Sequence, residues 1–203
     1  MTHTHSDDVL RELHHRVKNN FQIIASLLNL QKRMRPPERR DDFRFIEEHV
    51  QAMAIAHQVM YAAPELSSVP VNGLIGEVLD NLMHIAGAPA AALTTDLAVV
   101  EHGMGLNQSI ALCLYVAVVV PPFIDRAVAL SDTAVRVTLT FDEPQFVLTI
   151  AGDWLEAVEL DFLRSRLAEA YLRQLGGEAE PAGPVPSRSI RFVLDAPRTL
   201  PAP

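Results

Sequence analysis

No residue between Asp8 and Met34 is a glycine or a proline, and no other feature narrows the fold more. Ser6, Asp7 and Asp8 stand at the start as helix N-cap candidates. Leu10, Leu13, Val17, Ile24 and Leu28, with Phe21 close by, recur at three- and four-residue spacing and share one stripe of a helical wheel. At about 1.5 Å per residue, such a helix runs roughly 40 Å. Arg35-Pro36-Pro37-Glu38 breaks it. A second amphipathic run follows from Asp41 to Tyr61, with Phe43, Ile46, Val50, Met53, Ala56 and Met60 on one side. Two long helices joined by a short turn make a helical hairpin. A lone hairpin buries little, so the spacing predicts a homodimer in which two hairpins pair as a four-helix bundle.

After residue 62 the pattern changes. Val71 to Ala86 reads as a helix, Ala92 to Val100 as a strand, and Asn107 to Val120 as an apolar helix stopped by Pro121-Pro122. Val135 to Phe141 and Phe146 to Ala151 alternate like paired strands around Asp142-Glu143-Pro144. Glu159 to Leu175 reads as a helix closed by Gly176-Gly177, and Ser187 to Leu194 as a last strand. The Pro-rich stretches 180–186 and 197–203 are expected to be loose. The expected fold is α+β: a hairpin over residues 1–62, then an α/β sandwich over 63–203 with helices on one face of a sheet.

Composition sets the outer limits. With 49% hydrophobic residues in 203, the chain has too much apolar surface to stay unfolded. The formal net charge of −8 argues against a nucleic-acid partner. The single cysteine, Cys113, excludes a disulfide framework; its apolar setting predicts a core position. The charge is uneven, close to +1 over residues 1–60 and −9 over the rest, and both lysines and six of eight histidines fall in the first part. Met1 to Asp8 carries no apolar signal segment, and the eleven apolar residues Ile110 to Val120 are too few to span a bilayer. A cytoplasmic protein without membrane contact is expected.

Two adjacent histidines interrupt the first helix. At about 100° per residue, His14 falls within ~40° of Leu10 and Leu28 on the buried side. His15 falls opposite, beside Asn19, Gln22 and Ser26. An exposed imidazole can bind metal, act as a base or serve as a nucleophile. Metal binding wants more converging ligands than Glu12 offers, so no metal is expected. Arg16 and Lys18 can meet an anion, and Asn19 lies one turn on. From spacing alone, a solvated surface histidine is the commoner outcome. His49 and His57 read as surface or interface groups of the second helix, and His3 and His5 as incidental.

The segment Glu12 to Gln31, ELHHRVKNNFQIIASLLNLQ, closely resembles the dimerisation and phosphoacceptor segment of HisKA_2 sensor histidine kinases. The resemblance continues through Met53-Ala54-Ile55-Ala56-His57 and Met60-Tyr61. It reaches weakly to Arg173-Gln174-Leu175-Gly176-Gly177-Glu178. It implies that His15, the histidine before Arg-Val-Lys-Asn-Asn, is the phosphoacceptor on a dimeric bundle. Glu12 would hold the imidazole tautomer, Arg16 and Lys18 would counter phosphoryl or receiver charge, and Asn19 would hold a water or a phosphoryl oxygen. A kinase-type ATP-binding sandwich should follow.

That sandwich departs from the family pattern. Where the family carries Asn-Glu-Leu-Val-Thr-Asn-Ala-Leu-Lys-His-Ala, this chain reads Ala117-Val118-Val119-Val120-Pro121-Pro122-Phe123-Ile124-Asp125-Arg126-Ala127. The magnesium-binding Asn becomes Ala117, the second Asn becomes Pro122, and the proline pair is expected to break the helix. The Asp-x-Gly-x-Gly loop falls at Gly152-Asp153-Trp154-Leu155-Glu156, with neither glycine in place and Trp154 expected as a plug. Arg164 and its neighbours stand where a Gly-rich lid should be. ATP binding is therefore expected to be lost, leaving no cofactor of the chain's own and Mg²⁺ only on a partner receiver domain. The expected function is a histidine phosphotransferase in a two-component phosphorelay, moving a phosphoryl group between His15 and receiver aspartates. Partners would be response-regulator receivers and an upstream hybrid histidine kinase. Three alternatives stand beside it: a response-regulator phosphatase, a non-catalytic receiver- or kinase-binding scaffold, and a divergent active kinase.

Overall fold

The computed structural model describes residues 41–62, 69–97, 102–181, 186–194 and 198–199, and the helical residues Ile24, Leu28, Leu30, Arg33 and Met34. Four helices and eight strands follow in chain order. They are α1 (Asp41–Ala62), β1 (Val69–Pro70), α2 (Val71–Ala86), β2 (Leu93–Asp96), β3 (His102–Met104), α3 (Leu106–Leu130), β4 (Val135–Asp142), β5 (Gln145–Gly152), α4 (Phe162–Leu175), β6 (Glu178–Ala179), β7 (Ser187–Val193) and β8 (Arg198–Thr199).

The larger sheet runs β2-β4-β5-β7-β6, with β2 parallel to β4 and the other pairs antiparallel. Alternation sets its inner face. Val135, Val137 and Leu139 are buried while Arg136 and Thr140 are exposed, the period-2 signature of a sheet covered on one side. Register lines up Leu139, Leu148 and Ile190 across three strands, and Phe146 stacks on Phe192 with ring centroids 5.6 Å apart. A smaller sheet, β1-β3-β8, gathers three short strands that no periodicity announced. β8 places Arg198 and Thr199 in pairing with β3, within the stretch expected to be loose.

Helix α3 is the axis of the core. Residues Ala111 to Pro121 are all buried, Cys113 among them, and α1, α2 and α4 all pack on this helix. Burial pushes the Cys113 thiol far above its ordinary range, as expected of an inert core thiol. At its start, the Gln108 side-chain amide donates to the carbonyls of Leu175 at 3.1 Å and Val193 at 2.9 Å, tying α3 to the ends of α4 and β7.

Three expectations need correction here. The proline pair does not stop α3, which continues to Leu130 with Pro121 and Pro122 inside it. Asn107–Leu130 is consequently long and apolar enough to cross a membrane by length and composition, whereas eleven residues were not; 78% of its apolar window is buried inside the fold, as suits a core helix. The last helix begins at Phe162 rather than Glu159, because Asp161 caps it by accepting the Arg164 N–H at 2.8 Å. Gly176 closes the same helix at φ 71°, the left-handed conformation that a β-carbon disfavours.

Candidate functional site

Glu12, His15, Arg16, Lys18 and Asn19 lie outside the described residues, as does His14. The described geometry is that of the α/β part and of α1, the helix expected to form the second arm of a hairpin.

A proline inside a helix removes one i→i−4 hydrogen bond and crowds the preceding turn, at a cost of about 3 kcal/mol or more. Pro122 has no N–H to give to the Val118 carbonyl. That carbonyl instead accepts a hydrogen bond from Arg164 Nη1 of α4 at 2.9 Å. The helix survives its proline pair partly because a side chain from another element supplies the missing donor. The carbonyl belongs to the residue next to Ala117, the position of the family's magnesium-binding Asn. Ala117 itself is fully buried.

The rest of the Arg164 guanidinium is equally occupied. Nη2 meets Glu48 Oε2 of α1 at 3.0 Å, Nε lies 3.8 Å from Asp161, and the cation sits 4.7 Å above the Phe45 ring. Glu48 is 2% exposed and is shared by two arginines, with Arg44 Nε on Oε1 at 3.1 Å. Arg44 also pairs with Asp125 of α3. Burial pushes the Glu48 carboxyl above its ordinary range, against the pull of Arg164 and Arg44. Next to this cluster, His49 Nδ1 donates to the Phe45 carbonyl at 2.8 Å, and its ring is tilted 4.2 Å from Phe45. Burial lowers its pKa below the ordinary imidazole value. The sequence singled out Arg164 only as a missing glycine and did not mark Glu48, Arg44 or Asp125 as a cluster.

Trp154 packs against Phe123, further along α3. Its indole is 8% exposed, packs at 6.2 Å and 47° to Phe123, and lies on the backbone of Gly152. A β-carbon on Gly152 would fall 2.3 Å from Cζ2 of that ring. Gly152→Ala is expected to displace the indole and to cost about 1–3 kcal/mol, the usual range for overpacking. Trp154 is the sole tryptophan, so its emission should shift to the red in the variant, with an earlier urea midpoint. The buried Nε1 has no hydrogen-bond partner, as fits a ring held there by packing.

Asp153, at the position where the resemblance places the Asp-x-Gly-x-Gly loop, accepts the Ala134 N–H at 2.9 Å. It lines a cavity of about 430 Å³ together with Asp132, Ser131, Thr133 and small apolar residues. The lining includes two carboxylates and no lysine or arginine, a poor setting for a polyphosphate. Among the described residues, no three His, Cys, Asp or Glu side chains converge to hold a metal ion.

The HisKA_2 family, described as histidine kinase, matches residues 12–86, from the phosphoacceptor segment through the end of α2. Residues 12–86 are thus similar to a HisKA_2 histidine kinase segment. The chain is 31% identical over 103 residues to the sensor histidine kinase PdtaS of Mycobacterium tuberculosis, a match that covers 50% of this chain and only 18% of that protein's length. Its fold is similar to the histidine kinase domain of the Erythrobacter litoralis EL346 blue-light activated histidine kinase. There the TM-score is 0.63 at 20% identity, covering 94% of this chain and 93% of that one. A longer structure of the same kinase gives 0.64 at 21%, covering 91% of this chain and 62% of that one.

Proposed function

We propose that this chain works in two-component signalling as a histidine phosphotransferase: His15 takes a phosphoryl group from the aspartyl phosphate of one receiver domain and gives it to another. The motif around His15 supports the carrier role. The observation that carries the loss of ATP chemistry is Arg164. Its guanidinium lies against the Val118 backbone and is held by Glu48, beside the position where the family places its magnesium-binding side chain. γ-Phosphoryl transfer depends on metal ions and positioning groups around the phosphates. Here Ala117, the Trp154 plug and the bound Arg164 stand in their place, and the cavity beside Asp153 is acidic. The hairpin would pair with a second copy as a four-helix bundle, and the receiver would supply Mg²⁺ and the aspartate. A cytoplasmic site belongs to the same reading.

The step balances simply. The neutral imidazole nitrogen of His15 attacks phosphorus, the P–O bond to the aspartate breaks, and the carboxylate leaves as the N–P bond forms. Transfer onward reverses it on another receiver. Glu12 would fix the tautomer, Arg16 and Lys18 would counter the charge of the moving group, and Asn19 would hold a phosphoryl oxygen.

The test uses a receiver domain carrying a labelled aspartyl phosphate. Label should pass to the wild-type chain and to His14→Ala, and should be lost by at least about a hundredfold in His15→Ala, the all-or-none expectation for a covalent nucleophile. Labelling of His15→Ala at the wild-type rate would overturn the assignment. Dephosphorylation of the receiver that persists in His15→Ala and fails in Asn19→Ala would support the phosphatase reading instead.

A further inference from the structure

We infer that Arg164 and Glu48 form a clasp that fixes α1 against α3 and α4, so that α1 and the α/β part move as one body. Three elements meet at one guanidinium: Val118 O of α3 at 2.9 Å, Glu48 of α1 at 3.0 Å, and Asp161, the cap of α4 itself. Arg44 adds a second tie on the other oxygen of Glu48 and reaches Asp125 of α3. Both oxygens of the carboxylate are thus taken by arginines, and all but 2% of its surface is removed from water. Phe45 covers the guanidinium from one face.

Opening such a joint would strand a buried carboxylate, a buried guanidinium and the carbonyl that Pro122 leaves without a donor. Each is costly to leave alone, so the three contacts break together or not at all. Planarity matters here: one rigid fork serves two acceptors in fixed directions, which an ammonium on a flexible stem does not reproduce. The clasp has a functional consequence, and this consequence rests on the transferase reading. A reacting phosphoryl group must come within about 3–3.5 Å of the nucleophile. A domain clasped to α1 cannot swing freely about that helix, and on the transferase reading the group arrives on a separate protein, the receiver.

Amide hydrogen exchange on the full chain tests the clasp. In Arg164→Lys, which keeps the charge and loses the fork, exchange over residues 44–52 and 162–168 should rise together at least tenfold, while β4, β5 and β7 keep their protection. Unchanged exchange in either segment would overturn the inference. A measurement on the unaltered joint stands if that variant fails to fold. Spin labels at the exposed positions Gln58 of α1 and Thr140 of β4, in chains diluted with unlabelled protein, should give one narrow distance distribution. A broad or two-peaked distribution would overturn the clasp. A narrow one combined with no phosphoryl uptake from a receiver would sink the transferase reading and leave the clasp standing.

Discussion

Replacing Arg164 by methionine should cost about 3–5 kcal/mol, because it leaves the Glu48 carboxylate buried without its guanidinium. The loss is large against the 5–15 kcal/mol typical of a folded domain. It should lower the melting temperature by about 6–20 °C for a chain of this size. Three contacts vanish at once: the ion pair to Glu48, the donor to Val118 O and the cation over Phe45. The size of the effect separates this reading from that of a surface salt bridge, whose removal costs about 0–1 kcal/mol. The double variant Glu48→Leu/Arg164→Met should recover much of the stability, since no charge is then left buried. Chemical denaturation of the three proteins checks both statements. A single-variant loss below about 1 kcal/mol would show that the pair is not buried in solution.

The same variant has a pH signature with a definite sign. Burial holds the Glu48 carboxyl above its ordinary value, and Arg164 is the strongest group pulling it down. Without Arg164 the folded-state value rises further while the unfolded value stays put. The folded chain then binds more protons than the unfolded one between those two values, so its stability grows as pH falls through that window. The deficit of Arg164→Met relative to wild type should be largest near neutral pH and shrink as the solution is acidified toward the ordinary carboxylate range. A deficit that grows on acidification would contradict the raised carboxyl.

Local pattern made much of this fold legible. The second arm was readable as Asp41 to Tyr61 and α1 runs Asp41–Ala62; Val71–Ala86 is α2 at both ends. The β4–β5 hairpin came from strict alternation, which survives because one face of the sheet is covered. What failed to show were features decided at a distance. A proline pair is a stop signal by every local rule, and α3 passes through it because a donor arrives from Arg164, far along the chain. Nothing in the local pattern of the helix singles out Glu48, because its partner Arg164 lies 116 positions away. β6 and β8 have two residues each, too few for any period to register. His15 stands out for a different reason: its neighbours form a motif, which is read without tertiary context, and its role rests on that motif and the proposal alone, since it lies outside the described residues.

On the proposed reading, this chain carries a phosphoryl group on His15 without using ATP. What supports that reading is the set of residues at the positions where the resemblance places the nucleotide machinery: Ala117 is buried where a metal-binding Asn would stand, the Trp154 indole lies on the Gly152 backbone, and Arg164 is already bonded to Glu48 and Val118. Transfer rates from ATP depend steeply on such groups, a single charge-stabilising arginine being worth about 10³–10⁵. Losing several together should leave nothing measurable above background. The direct measurement incubates the purified wild-type chain with γ-labelled ATP and Mg²⁺ alone, and in parallel with a receiver carrying a labelled aspartyl phosphate. Label on His15 from the receiver and none from ATP is the predicted result; label on His15 from ATP alone would contradict it.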